Sequence, residues 1–78
     1  MPHEVEIHLH GGLHKFASRA RRSILVAEND ASVMDICGRI CLSKKEIYLI
    51  KVDGTRAKLE DEINDGEKVD IFPVFGGG

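Results

Sequence analysis

Alternating apolar and polar residues predict a β-strand near the start of the chain. Residues 3–10 read His-Glu-Val-Glu-Ile-His-Leu-His, and the apolar positions fall on one face of an extended segment: Val5, Ile7 and Leu9. A second apolar run, Ser23 to Glu28, follows Gly11-Gly12 and a basic loop. We expect the two runs to pair as a hairpin, although its loop is unusually long.

A helical period replaces the alternation after residue 31. Ser32 and Asp35 form a variant of the capping box that begins helices. Apolar residues then recur at the spacing of one helix face: Val33, Ile36, Cys37, Ile40 and Cys41. The two cysteines are therefore predicted to pack in the core without forming a disulfide. Gly38 costs the helix stability, and a close approach between helix and sheet would explain its presence.

Turn signals divide the rest of the chain into short strands. A third strand is predicted over Ile47 to Val52, and Asp53-Gly54 then turns the chain into a short fourth segment near Lys58 and Leu59. Ile63 is predicted to be an isolated apolar anchor. The last predicted strand, Val69 to Val74, follows an Asn-Asp-Gly turn.

The predicted order is strand, strand, helix, strand, short strand, strand. One helix laid across one face of a mixed sheet of four to five strands buries these apolar stripes together, which predicts the α+β fold called the β-grasp, or ubiquitin-like fold. A ferredoxin-like fold would need a second long helix, and the segment after Val52 lacks the apolar period for one. We expect one domain over residues 1–78, with a flexible tail at 75–78.

Composition and charge narrow the possible functions. A chain of 78 residues leaves little room for an enclosed catalytic cavity, so a carrier or binding role is expected and an enzyme is not. The net charge of −2 argues against a general nucleic-acid binder. No apolar run is long enough to span a membrane or to act as a signal core, so we expect a cytoplasmic protein without a membrane partner.

Three glycines, Gly76, Gly77 and Gly78, contribute nothing to a fold and predict a separate role. A tail without Cβ atoms can thread a narrow channel, and residues 74–78 would reach roughly 17 Å when extended. Such a tail can deliver the Gly78 carboxylate to the active site of another protein. A carboxylate needs activation, commonly by ATP, and the chain has no Gly-Lys-Ser/Thr phosphate loop. ATP is therefore expected to be used by a partner, with no cofactor bound here.

Residues 64–78 resemble the end of the ubiquitin-like sulfur carriers, namely the molybdopterin synthase small subunit and its thiamine-pathway relative. The matching positions are Asp65-Gly66-Glu67, Phe72-Pro73 and Gly77-Gly78. Val74 stands where that family has a second proline, and Phe75 is bulky for a position so close to the tail. The resemblance covers the whole chain in element order and is specific in this last segment.

The resemblance implies a function for the tail. Gly78 would be adenylated by an enzyme related to ubiquitin-activating enzymes and converted to a thiocarboxylate that donates sulfur. The acceptor would be an enzyme such as a molybdopterin synthase large subunit or a thiazole synthase. Two alternatives remain: a protein modifier joined through Gly78 to target lysines, and a non-covalent interaction domain that does not need its tail.

Other side chains near the tail have two interpretations each. Phe72, Pro73 and Phe75 are expected to contact a partner if Phe72 lies on the sheet face away from the helix, and otherwise they are packing residues. His8 and His10 share one side of their strand, which permits two metal ligands, but a solvated polar face explains them as well. We therefore predict no metal site.

Overall fold

The computed structural model of the chain describes residues 2–17, 20–28 and 30–74. Five strands form one sheet with the spatial order β2-β1-β5-β3-β4. The helix and strands have these bounds: β1, His3–Leu9; β2, Arg22–Ala27; α1, Val33–Arg39; β3, Ile47–Val52; β4, Thr55–Ala57; β5, Lys68–Pro73. Two short 3₁₀ helices, Leu13–Lys15 and Lys44–Glu46, lie in the connections.

The sheet is mixed, and its pairing confirms the predicted β-grasp fold. β1 pairs antiparallel with β2 on one side and parallel with β5 on the other. β3 lies antiparallel to both β5 and β4. Because β1 and β5 are parallel and adjacent, the C-terminal ends of the two strands lie side by side.

The apolar stripes predicted from the sequence form the core. From Val5 onward, every second residue of β1 is at most 3% exposed: Val5, Ile7 and Leu9. The helix contributes Val33, Ile36 and Cys37 to the same cluster. Burying an aliphatic side chain of this size stabilises a fold by about 1.5–3 kcal/mol, so these stripes fix which face of each element is turned inward.

The start of α1 is confirmed and its end differs from the prediction. The Asp35 amide donates to the Ser32 hydroxyl at 3.3 Å, and the Ser32 amide donates to the Asp35 carboxylate at 3.0 Å, which completes the capping box. The helix ends at Arg39, and Cys41 has a left-handed φ of 61° and is exposed. The predicted core position of Cys41 is therefore wrong, because the chain leaves the helix before that residue can continue its stripe.

Gly38 does not mark a close contact between helix and sheet. It is exposed, and a Cβ atom on it would have no heavy atom within 4 Å apart from its own chain neighbours and helix backbone. The explanation offered by the sequence is wrong, because this position faces away from the sheet.

The fourth strand begins earlier than predicted. Asp53 and Gly54 both have positive φ, 52° and 83°, as in a two-residue hairpin turn. The chain therefore pairs again at once, from Thr55, and the predicted segment near Lys58 and Leu59 lies beyond β4. There the Leu59 carbonyl accepts a hydrogen bond from the Met34 amide at 2.9 Å, which ties this segment to the first turn of α1.

The long loop after β1 is partly structured. Its 3₁₀ helix turns Leu13 into the core, where this residue is 1% exposed. Downstream, Leu25 and Ala27 of β2 are buried, whereas Ile24 and Val26 are about half exposed on the outer face of the sheet, at 54% and 51%. β2 is thus an edge strand with an apolar outer side.

Candidate functional site

The end of β5 is held against two other parts of the fold. The His10 amide donates to the Ile71 carbonyl at 3.0 Å, and the Val74 amide donates to the Glu46 carbonyl at 3.2 Å. Val74 is 47% exposed. The chain is therefore held by backbone hydrogen bonds as far as Val74, and Val74 lies at the surface.

The predicted tail lies outside the described residues. Phe75, Gly76, Gly77 and Gly78 belong to that part, so their predicted roles stay predictions. The structure describes the residues just before this segment, Phe72 to Val74, which we call the base of the tail.

Phe72 lies on the outer face of the sheet, on the opposite side from the buried Val69 and Ile71. Its ring stacks on the His10 ring with centroids 4.3 Å apart and planes 9° from parallel. The Lys51 ammonium lies 5.8 Å from the Phe72 ring centroid, within the range of a cation–π contact. Phe72 thus meets the condition under which the sequence predicts a partner contact, while its half-buried ring is already held by two neighbours.

His10 connects Phe72 to a second residue of β5. Its Nε2 lies 2.9 Å from a carboxylate oxygen of Asp70, and each of the two residues has a partly buried side chain. This contact orients the imidazole, and the imidazole in turn supports the Phe72 ring. The sequence grouped His10 with His8 as a polar side of β1 and gave no sign of the aromatic stack, because the pairing of β1 with β5 joins residues 60 positions apart.

Pro73 packs against Gly11. A Cβ atom on Gly11 would lie 2.7 Å from Cγ of Pro73, closer than real Cβ atoms approach a neighbour, and Gly11 also has a φ of +60°. Both observations require glycine at this position. In the sequence, Gly11 marks only the end of a strand, although its adjacency to a second glycine and a loop is a signal for special backbone geometry.

The histidines do not converge on one point. His8 contacts the Glu6 carboxylate, His10 contacts Asp70, and Nδ1 of His3 lies 3.2 Å from the Ile63 carbonyl oxygen. Within residues 2–17, 20–28 and 30–74, no group of three or more His, Cys, Asp or Glu side chains could hold a metal ion.

A basic surface adjoins the end of β1. His8, His10, Gly11, Arg21 and Arg22 line a depression of about 270 Å³. Arg22 lies 3.9 Å from the Glu6 carboxylate, and its side chain is 76% exposed, so this ion pair contributes little to stability. Positive charge that remains open to solvent therefore lies in the same depression as Gly11, which contacts Pro73.

The described helices include none that is long and apolar enough to cross a membrane.

The whole chain matches a known family. The model of the family described as Mut7-C ubiquitin matches residues 2–77. The chain belongs to the Mut7-C ubiquitin family. This membership agrees with the β-grasp fold and with the ubiquitin-like resemblance that residues 64–78 indicate.

Solved structures share the fold of this Mut7-C ubiquitin domain at low sequence identity. The solution structure of the HVO 2177 protein of Haloferax volcanii has a TM-score of 0.78 and 17% identity, over 99% of this chain and 88% of that one. A putative molybdopterin converting factor, subunit 1, from Pyrococcus furiosus has a TM-score of 0.72 and 19% identity, over 91% and 97%. The small archaeal modifier protein SAMP1 of Haloferax volcanii has a TM-score of 0.71 and 20% identity, over 96% and 99%. No curated protein matches the chain.

Proposed function

We propose that this member of the Mut7-C ubiquitin family is a cytoplasmic sulfur carrier whose Gly78 carboxylate is activated by a separate enzyme. The observation that carries the proposal is the position of the glycines. β5 ends at Pro73, the exposed Val74 follows, and the three glycines begin two residues after Val74. A run of this kind adds nothing to folding stability and can enter a narrow channel in a partner. The domain holds the base of the tail, and the tail carries the reactive group.

The proposed chemistry has two steps, both catalysed by the partner. The Gly78 carboxylate attacks the α-phosphate of ATP and releases pyrophosphate, which gives an acyl-adenylate. Hydrosulfide then attacks the acyl carbon, AMP leaves and the proton on sulfur is released, which gives the thiocarboxylate. This chain acts as a co-substrate, because it has no phosphate-binding loop with which to hold ATP.

The ending of β5 favours one class of sulfur acceptor. The Phe72-Pro73 pair resembles the molybdopterin-type carriers, and the fold is similar to that of a putative molybdopterin converting factor, subunit 1. These two features favour a molybdopterin or tungstopterin precursor over the thiazole of thiamine. The partners would then be a ubiquitin-activating-enzyme-like adenylyltransferase and a molybdopterin synthase large subunit.

The partner contact would be made by Phe72, Pro73 and Phe75. Phe72 supports this role because it is an aromatic residue on the outer face, next to the exposed Val74. Phe72→Ala is expected to slow thiocarboxylate formation about tenfold, which corresponds to about 1.4 kcal/mol of binding. Val26→Ala, an apolar truncation on the outer side of the edge strand β2, is the matched control and should leave the rate unchanged.

A second candidate is a protein modifier joined to lysines through the activated Gly78. The similarity in fold to small archaeal modifier protein 1 favours this use. Both candidates begin with the same adenylation, so they differ only in the nucleophile that attacks the acyl-adenylate, a sulfur atom or a lysine amine.

One experiment separates the candidates. The protein, with an untagged C-terminus, is incubated with ATP, sulfide and an extract of its native cells, and intact-mass spectrometry follows Gly78 while peptide mapping searches for lysine adducts. Oxygen-to-sulfur exchange supports the carrier, and lysine adducts support the modifier. A variant without Gly77 and Gly78 should give neither product. If the full chain also gives neither, both proposals fail and a non-covalent binding domain remains.

A further inference from the structure

A groove lies along β3, whose Leu49 lines it and pairs with Phe72 of β5. The groove is open to solvent on one side and has a volume of about 460 Å³, within the range of about 300–1,000 Å³ that is typical of ligand sites. The groove exists because β4 is short. β4 pairs only with the second half of β3, from Ile50 to Val52. The first half, Ile47 to Leu49, borders the groove instead.

The groove has an aliphatic lining. Ile47, Leu49 and Leu59 are half-buried and all three line it. Tyr48, which is 66% exposed, is also part of its wall. Aliphatic walls with an exposed tyrosine match the composition of protein–protein contact sites, where an apolar side chain of the partner fills the depression.

Three cations from three segments surround this apolar lining: Lys44, Arg56 and Lys58. All three residues are exposed, and no carboxylate residue is among the lining residues. In the described part of the chain, the ion pairs involve His8, His10 and Arg22 and none of these three cations. Arg56 also borders a second depression, whose lining includes four carboxylate residues, Asp53, Asp61, Glu62 and Glu67. The two lysines therefore supply the positive charge that is available to a partner.

This charge is opposite in sign to that of the chain, whose net charge is −2. A nucleic-acid strand carries a phosphate at every nucleotide and needs cations along an extended path, which an acidic chain does not offer. A short acidic peptide needs only local complementarity, and its aliphatic side chain can use the apolar lining. The observations thus favour a polypeptide partner.

The groove also lies close to the base of the tail. Ile47 pairs with Pro73 across β3 and β5, and the residue before Ile47 accepts the hydrogen bond of Val74. A protein that receives the tail would therefore have the groove within reach of its neighbouring surface.

We propose that the groove docks an acidic segment of a partner protein. An aliphatic side chain of that segment lies among Ile47, Leu49 and Leu59, and flanking carboxylates pair with Lys44 and Lys58. This proposal goes beyond the carrier chemistry and does not depend on any reaction at Gly78.

The test is a titration of the ¹⁵N-labelled protein with a defined peptide, an acetylated sequence in which aspartates flank a Leu-Ile pair. Saturable shifts are expected at the amides of Tyr48, Ala57 and Leu59. A peptide with lysines in place of the aspartates, and one with glycines in place of the Leu-Ile pair, should both fail to saturate. Binding should weaken at high salt, because exposed charges are screened.

Charge reversal identifies the docking residues. Lys44→Glu and Lys58→Glu are each expected to weaken peptide binding on the order of tenfold, because each replaces an attraction with a repulsion. Lys45→Glu is the matched control: it makes the same charge change at the next residue, which is exposed and does not line the groove. The melting temperatures of all three variants should agree, since the substituted side chains are exposed.

Several results would overturn the proposal. These are an absence of saturable shifts, shifts confined to another surface, or equal losses for the Lys45 and Lys58 variants. Equal shifts with inorganic phosphate or a short single-stranded RNA would assign the groove to another ligand, and concentration-dependent shifts without peptide would assign it to a second copy of the chain. Deleting Gly77 and Gly78 should leave peptide binding unchanged, which separates this test from that of the carrier.

Discussion

Gly11 and Pro73 meet where β1 and β5 end side by side. Gly11 can occupy its left-handed backbone conformation and leave room for the proline ring because it has no Cβ. This contact sets the direction in which the chain leaves the sheet toward Val74. One small residue, distant in sequence, thereby shapes the base of the candidate site.

Gly11→Ala is expected to destabilise the fold by about 1–3 kcal/mol, because the new Cβ both strains the backbone and overlaps Pro73. Gly12→Ala is the matched control: Gly12 has a φ of −99°, and its Cβ would meet nothing within 4 Å. Urea unfolding of the two variants measures the difference. Equal stabilities would show that Pro73 does not pack on Gly11 as described.

The two cysteines are expected to react very differently with iodoacetamide. Burial raises the pKa of Cys37 from 9.0 to about 11, which lowers its thiolate fraction about 100-fold, and its side chain is shielded as well. Cys41 is exposed. Peptide mapping at about pH 8 should find Cys41 labelled first and Cys37 labelled only after unfolding. Faster labelling of Cys37 would contradict the described end of α1.

The same pKa shift has a consequence for stability. Because the pKa of Cys37 is higher in the folded state, its neutral thiol contributes stability that is complete below pH 9 and is lost as the pH rises toward 11. Denaturant unfolding across that interval should show a decline that Cys41→Ser does not change.

For helices and strands, the sequence predicted correctly the features that depend on residues close together in the chain. The capping box at Ser32 begins α1, and the alternation in β1 selects its buried face, since both depend on neighbouring residues. The end of α1 and the position of β4 were predicted wrongly. The end of α1 depends on the left-handed φ of Cys41, and a side chain with a Cβ gives little warning of that conformation in a sequence. The turn at Asp53-Gly54 was predicted, but β4 begins at once at Thr55 and has three residues, too few to show an alternating pattern.

Gly38→Ala is expected to stabilise the protein by about 0.5–1 kcal/mol. Gly38 lies in α1, is exposed, and leaves open space where the Cβ would be, so the substitution removes unfolded-state entropy without a clash. Ser32→Ala, which removes the cap of the same helix, should destabilise by about 1 kcal/mol. Thermal unfolding compares the two, and a loss of stability in Gly38→Ala would mean that the helix packs closely at this position.

At the scale of the whole molecule, the fold brings together three features that the sequence presents far apart. The Phe72 stack, the Gly11–Pro73 contact and the cationic groove all border the end of β5 or the strand next to it. The sequence predicted Phe72 and Pro73 from the resemblance at residues 64–78. It could not predict His10 or the groove, because these arise from strand pairing and from the shortness of β4.

The central claim is that Gly78 carries the reactive carboxylate, and intact-mass spectrometry of the untagged protein from its native cells tests it most directly. A fraction of the chains is expected to have one oxygen exchanged for sulfur, located at Gly78 by fragmentation. Chains that all keep an unmodified carboxylate, or a native protein that continues past Gly78 and has no carboxylate there, would contradict it.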